Sequence, residues 1–196
     1  NRYADLINTI FEADNFASIA SEIQSQLLLG MPDHIDRWNP ENVYDDSYWF
    51  DWAETISSIP DWQSDIANIS WYNYQRVGAA RQNIVDAFGL DGQHTVDLGV
   101  YPESAGVVNI STITPTDYPW SGVYFNSCPI QIHPTPNPGY VFDYWEINYA
   151  TPYWEEETLE LSITEDISLI AHFSECDEET NNEECNIVPC EIGTVY

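Results

Sequence analysis

Three groups of residues in this sequence have the types and spacing to do chemistry. The first is aromatic: Tyr118, Trp120, Tyr144, Trp145, Tyr149, Tyr153 and Trp154 crowd the second half of the chain. Aromatic rings present flat apolar faces of negative potential, which recruit the C–H surface of sugar rings and cations. From this set Trp120, Trp145, Tyr149 and Trp154 are the binding candidates for a surface glycan; the competing reading places strand-borne aromatics in a sandwich core. The second group is Asp177, Glu179, Asn181 and Glu183, which alternate along an acidic run and offer oxygen ligands to calcium, a hard cation. The run is not an EF-hand, because Asn182 stands where that loop needs glycine and Val188 where it needs its bidentate glutamate. A solvated acidic tail is the competing reading. The third group is Cys128, Cys176, Cys185 and Cys190, which allow three disulfide connectivities. A Cys176–Cys185 bridge would close a short polar loop and contribute about 2–3 kcal/mol through loop entropy. Neither CxxC nor a paired-histidine zinc motif is present.

No residue is assigned a catalytic role. His94, His133 and His172 fall in expected strands, where structural or surface roles outweigh metal ligation. His34 lies between Asp33 and Asp36, beside Arg37, and reads as part of an ion-pair cluster at a helix start rather than as a general base. The sequence contains no GxSxG, HExxH or GxGxxG motif and no phosphate-binding glycine loop. Phosphoryl transfer calls for lysine or arginine at the transferring phosphate, and this chain has no lysine.

The elements that must position these groups follow from composition and periodicity. The 196 residues are long enough for one large domain or two small ones, each with its own core. Acidic residues number 33 against four arginines, for a formal charge of −29. All four arginines precede residue 91; the remainder holds nineteen acids and no lysine or arginine. Such a field repels phosphate backbones and anionic lipid, which argues against nucleic-acid and membrane-surface partners. It also disfavours compaction unless salt screens it or a cation binds. No run approaches the ~20 apolar residues of a membrane span. Dense acids, absent lysine and four cysteines together point to an extracellular setting.

Apolar spacing of three and four predicts helices through residue 90. Tyr3, Leu6, Ile7, Ile10 and Phe11 form one stripe, and Asn15 is expected to cap the next helix, with Phe16, Ile19, Ala20, Ile23 and Leu27 on one face. Gly30 and Pro32 end that helix and open a short one over 33–38. A helix is expected over 47–58, carrying Trp49, Trp52, Ala53 and Ile56, and Pro60 begins another stretch that runs to Phe88 as one helix or two. From His94 the period becomes two. Strands are expected over 95–100, 106–110, around Val123 and Phe125, around Ile130 and Ile132, over 154–163 and over 167–173. Pro134, Pro136, Pro138 and Gly139 punctuate this pattern before a new apolar set of Tyr140, Phe142, Tyr144 and Ile147.

Three blocks carry a resemblance. Residues 1–9 (NRYADLINT), 31–38 (MPDHIDRW) and 81–90 (RQNIVDAFGL) resemble the final helical portion of CotH-like proteins, a family of spore-coat and bacterial surface proteins with an atypical protein-kinase fold. Residues 138–145 (PGYVFDYW) through 168–173 (SLIAHF) resemble small β-rich repeats appended to bacterial surface proteins, and 191–196 (EIGTVY) resembles the lead-in to a sorting domain of secreted Bacteroidetes proteins. In the CotH-like family the nucleotide and metal ligands lie upstream of these helices. The resemblance therefore carries no catalytic residue onto this chain, and it implies an upstream part of the same parent protein as a partner. Arg37 and Arg81 match its pattern as structural ion-pair partners.

The expected class is α+β: a helical subdomain over 1–90, an antiparallel β sheet or sandwich over 91–174, and an acidic, cysteine-containing tail over 175–196. The expected role is a non-catalytic C-terminal region of a secreted surface protein that presents a β module for attachment or recognition. The alternatives are a stand-alone glycan-binding or adhesion module and a structural subunit of an extracellular assembly.

Overall fold

A computed structural model describes residues 1–38 and 56–176, with the backbone alone for 150–153. The fold is α+β. Among the described residues four helices, α1 (Arg2–Ile7), α2 (Ala13–Leu27), α3 (Met31–Trp38) and α4 (Ile59–Phe88), precede eight strands. The chain divides into two compact units, one of Leu6–Asn83 and one that combines Asn1–Asp5 with the residues from Ile84 onward. The β unit thus includes the first five residues and the last turn of α4, rather than beginning near residue 91.

In the helical unit α4 is one continuous helix of 30 residues. Ser58 caps it: the Asp61 N–H donates to Ser58 Oγ at 3.2 Å, while Ser57 and Ser58 hydroxyls both donate to the Asp61 carboxylate. These bonds hold the Asp61 pKa below the usual carboxylate value, Ser57 contributing most. Met31, Ile35 and Trp62 form a small core backed by Ile56, Ile59 and Ile66. Asn15 does not cap α2. It sits inside the first turn, and its amide donates back to the Ile10 carbonyl at 3.1 Å, satisfying an acceptor left open where the preceding turn ends. Arg81 donates to Asn8 Oδ1 at 2.8 Å, and burial lowers its pKa against the opposing pull of Glu12. Arg37 lies over the Trp38 ring at 5.5 Å. The expected helix over 47–58 falls mostly outside the described residues.

The β unit is built of β1 (Gln93–Tyr101), β2 (Gly106–Ile110), β3 (Trp120–Phe125), β4 (Ile130–Pro136), β5 (Tyr140–Ile147), β6 (Ala150–Trp154), β7 (Leu159–Leu161) and β8 (Ile167–Glu175). A five-stranded sheet runs β3-β1-β8-β5-β6, and a three-stranded sheet runs β2-β4-β7. All pairs are antiparallel except β1 with β8. One core joins the two sheets: Val96, Leu98, Tyr124, Trp145, Leu169, Ala171 and Phe173 from the first, and Val108, Ile110, Ile130, Ile132 and Leu159 from the second. Gly89, at φ +61°, ends α4, and the Leu90 N–H returns to the Val85 carbonyl at 3.0 Å; both apolar residues pack on the β core.

Several strands depart from the sequence pattern. β3 and β4 belong to different sheets, so the stretch that holds them is a crossover between sheets. The register sets Trp120, Gly122 and Tyr124 opposite Leu98, Val96 and His94, and Tyr124 and Phe125 are both buried in the core. β4 continues through Pro134 and Pro136, against expectation. The Ser111 N–H donates to the Gln131 carbonyl, and the Val108 N–H turns away to the Tyr118 hydroxyl. Alternation therefore points the backbone polar groups of Ile132, Pro134 and Pro136 away from β2. On that side β7 pairs only with Ile130–Ile132, so each proline stands where no neighbour needs an N–H. The expected strand over 154–163 is two: Trp154 ends β6 in one sheet and Leu159 begins β7 in the other. Trp145 Nε1 donates to the Glu157 carbonyl at 3.2 Å, which ties down the connection between them.

Candidate functional site

The site begins with an irregularity in β5. Strict alternation would put Tyr140, Phe142 and Tyr144 on one face. Instead Phe142 pairs with Phe173 and Tyr144 with His172, so Asp143 is an extra residue and the phase slips by one. Phe142 and Trp145 both turn inward, with ring centroids 5.4 Å apart. Tyr144 and Glu146 are thereby placed on the outer face of the five-stranded sheet. The Ser174 hydroxyl donates to Asp143 Oδ1 at 2.8 Å and anchors the bulge.

On that outer face two cross-strand rows lie side by side. Tyr144, His172 and Tyr101 form one, Tyr144 stacked on His172 at 4.5 Å and 14°, Tyr101 tilted against it at 5.3 Å. Glu146, Ile170 and Gly99 form the next. Glu146 Oε2 lies 3.0 Å from His172 Nε2. Gly99 keeps the floor of this row low, since a Cβ there would come within 3.3 Å of Ile170. Tyr118 and Pro119 stand beside β1, and together with Tyr101, Glu103, Glu146, Ile170 and His172 they enclose an open cleft of about 330 Å³.

The walls are preorganised. Tyr118 accepts from the Val108 N–H at 2.7 Å and donates to the Pro115 carbonyl at 3.1 Å, so its hydroxyl is committed and its ring is fixed. Burial raises the Tyr118 pKa, with the Val108 bond opposing. Tyr101 is 61 % exposed and offers a free face. The arrangement provides an apolar floor, aromatic walls and two lining carboxylates, Glu103 and Glu146. These are the elements that receive a ligand having one C–H face and several hydrogen-bond donors.

The four aromatic residues singled out from sequence are not brought together. Trp145 is fully buried beneath the sheet and offers no face to a ligand, a correction that follows from the bulge. Trp120 folds over Gly122, where a Cβ would meet its ring at 2.2 Å; the indole replaces a missing side chain. Trp154 lies on the opposite edge strand, 38 % exposed, beside Glu156, Thr158 and Glu160 in a second open cleft of about 460 Å³. Tyr149 occupies the two-residue turn between β5 and β6 and is 78 % exposed. The calcium candidates Asp177, Glu179, Asn181 and Glu183 lie outside the described residues. Among those described, no group of three or more His, Cys, Asp or Glu residues is placed to hold a metal. Cys128 is a free thiol and Cys176 is not; the proposed partner Cys185 lies outside the described residues. No helix among them is long and apolar enough to cross a membrane.

No family model, curated protein or solved structure matches this chain. The cleft must therefore be read from its own chemistry. Sequence reasoning named Tyr118 and Tyr144 in its aromatic set but missed Tyr101, Glu103, Glu146 and His172 as members of one site. The available signal was the three-residue spacing of Phe142 and Trp145, which breaks alternation and marks the bulge.

Proposed function

We propose that this chain is a recognition module whose outer-face cleft, bounded by Tyr101, Tyr118, Glu146 and His172, receives a saccharide. The observation that carries the reading is the Tyr144–His172–Tyr101 ring row beside the Glu146 carboxylate. A sugar laid on the Tyr101 ring places its C–H face against the aromatic surface and its hydroxyls toward Glu146 and Glu103. The module serves as the non-catalytic C-terminal region of a secreted, CotH-like bacterial surface protein. The three helical sequence blocks support that lineage, and the acidic composition and cysteines support an extracellular place.

A second role is favoured by α2. Its apolar residues Ile19, Ile23 and Leu27 recur at helical spacing, yet each is about half exposed and α2 buries no residue. That face suits an upstream part of the same parent protein, which the helical unit would complete.

The test is a printed array of neutral, amino and acidic glycans probed with the full chain and with Tyr101→Ala. Binding by the wild type that is lost in the variant supports the reading. Absence of any Tyr101-dependent signal overturns it.

A further inference from the structure

We infer that the cleft selects saccharides bearing a protonated amine over their neutral counterparts and rejects those bearing a carboxylate. The inference rests on the saccharide reading above and adds the charge of the ligand. Three features of the site carry it.

The first is the state of Glu146. Its side chain is only 23 % exposed, and the contact that holds it is a histidine nitrogen at 3.0 Å, not a guanidinium or an ammonium. A carboxylate partly withdrawn from water is stabilised most by a charged donor, and such bonds are roughly twice as strong as neutral ones. A ligand ammonium supplies that donor; a sugar hydroxyl supplies the weaker kind.

The second is the surrounding charge. Glu103, an exposed carboxylate, also lines the cleft, and the β unit contains no lysine. Its one arginine, Arg2, donates to the Thr112 hydroxyl. Among the described residues His172 is the one basic group lining the cleft, and it already faces Glu146. Apart from His172, a cation entering here meets no basic side chain among the described lining residues, whereas a uronic or sialic acid meets two carboxylates and the field of a chain of charge −29.

The third is geometric. The exposed Tyr101 ring projects beside the low floor of Gly99 and Ile170, so a charged amine on a seated sugar lies near an aromatic face as well as near carboxylates. A cation over such a face gains further attraction. The acidity of the protein as a whole would draw cations to every surface; the rings and the half-buried carboxylate localise the preference to this cleft.

The experiment compares hexasaccharides of β-1,4-linked glucosamine, fully N-acetylated or fully de-N-acetylated, by calorimetric titration of the full chain at 0.15 M salt. The two probes share a backbone and differ at nitrogen, in the acetyl group as well as the charge, and Glu146→Gln separates the two effects. The expected result is affinity roughly tenfold higher for the amine form, from one charge-assisted contact exceeding a neutral one. Glu146→Gln is expected to reduce the amine form to the level of the acetylated one, and Tyr101→Ala to weaken both. Equal affinities for the two probes, with Tyr101 dependence, overturn the charge preference and leave the saccharide reading standing. An amine preference that survives both substitutions reflects the general field and also overturns the inference. If neither probe binds, the inference is overturned; the array then decides separately whether any saccharide is recognised.

Discussion

The Tyr124 hydroxyl donates to the Asp5 carboxylate at 2.9 Å, joining residues 119 positions apart in a fully enclosed contact. The other carboxylate oxygen accepts from the Thr112 N–H at 3.2 Å and from its hydroxyl at 2.7 Å. A buried carboxylate is tolerated only when its lone pairs are satisfied, so these bonds commit the first residues of the chain to the β unit. Tyr124→Phe removes one donor and leaves the charge in place. It is expected to lower the unfolding free energy by about 1.5–3 kcal/mol, the range for bonds to charged groups. Urea denaturation followed by near-ultraviolet circular dichroism measures it. A loss under about 0.5 kcal/mol, the scale of an ordinary surface change, would mean that Asp5 is satisfied without Tyr124.

Gly106 presses β2 against the opposite sheet. A Cβ at this position would lie 2.6 Å from Phe173 Cζ and 2.8 Å from the Thr135 carbonyl oxygen. Phe173 is itself held edge-on by Phe142, with centroids 5.9 Å apart, and backbone cannot swing aside as a side-chain tip can. Gly106→Ala is therefore expected to destabilise the protein by about 1–3 kcal/mol, the range for overpacked cores. Gly99→Ala is the control, since its closest neighbour is the Ile170 side chain at 3.3 Å. Thermal denaturation of both variants should separate them clearly; equal melting temperatures would refute the account of Gly106.

The contrast between these two glycines shows what sequence could reveal. Change of period from 3.6 to 2 near His94 gave the α+β class, because burial of one helix face and one strand face is a local constraint. Pairing is not local. The parallel contact of β1 with β8, and the separation of β3 and β4 into different sheets, depend on which distant faces pack together. The site lay behind a single inserted residue: with Asp143 in the ladder, Trp145 goes to the core and Tyr144 to the surface. Reading the aromatic residues as one undivided set could not show that split. Pro134 misled for a related reason, since its missing N–H matters only on a side where a neighbour exists.

Tyr118 provides a test in alkaline solution. Burial raises its pKa above the ordinary phenol value of 10.0, so the folded state holds the proton more tightly than the unfolded state. The associated stability is complete below pH 10 and is lost as pH rises through the raised folded value. Tyr118→Phe lacks both the proton and the bond from the Val108 N–H, and near neutral pH it is expected to be less stable by about 1 kcal/mol. Above pH 10 the gap between wild type and variant should narrow, because only the wild type has this ionisation to oppose folding. Urea midpoints at pH 7 and pH 11 measure the change. A gap that stays constant would show that the phenol titrates alike in both states.

Tyr149 occupies backbone that an aromatic residue rarely adopts. Asn148 and Tyr149, at φ +50° and +57°, form the two-residue turn between Ile147 and Ala150, a geometry that favours asparagine followed by glycine. Asn148 fits: its side-chain oxygen accepts from the Ser168 N–H, and its own N–H donates to the Ser168 carbonyl, both at 2.8 Å. Tyr149 bears the left-handed penalty of about 1–2 kcal/mol while leaving 78 % of its surface exposed. Tyr149→Gly is expected to recover part of that penalty, raising the unfolding free energy by about 0.5–1 kcal/mol after the greater freedom of glycine in the unfolded chain is counted. A variant that is instead destabilised would show that the tyrosine makes a compensating contact.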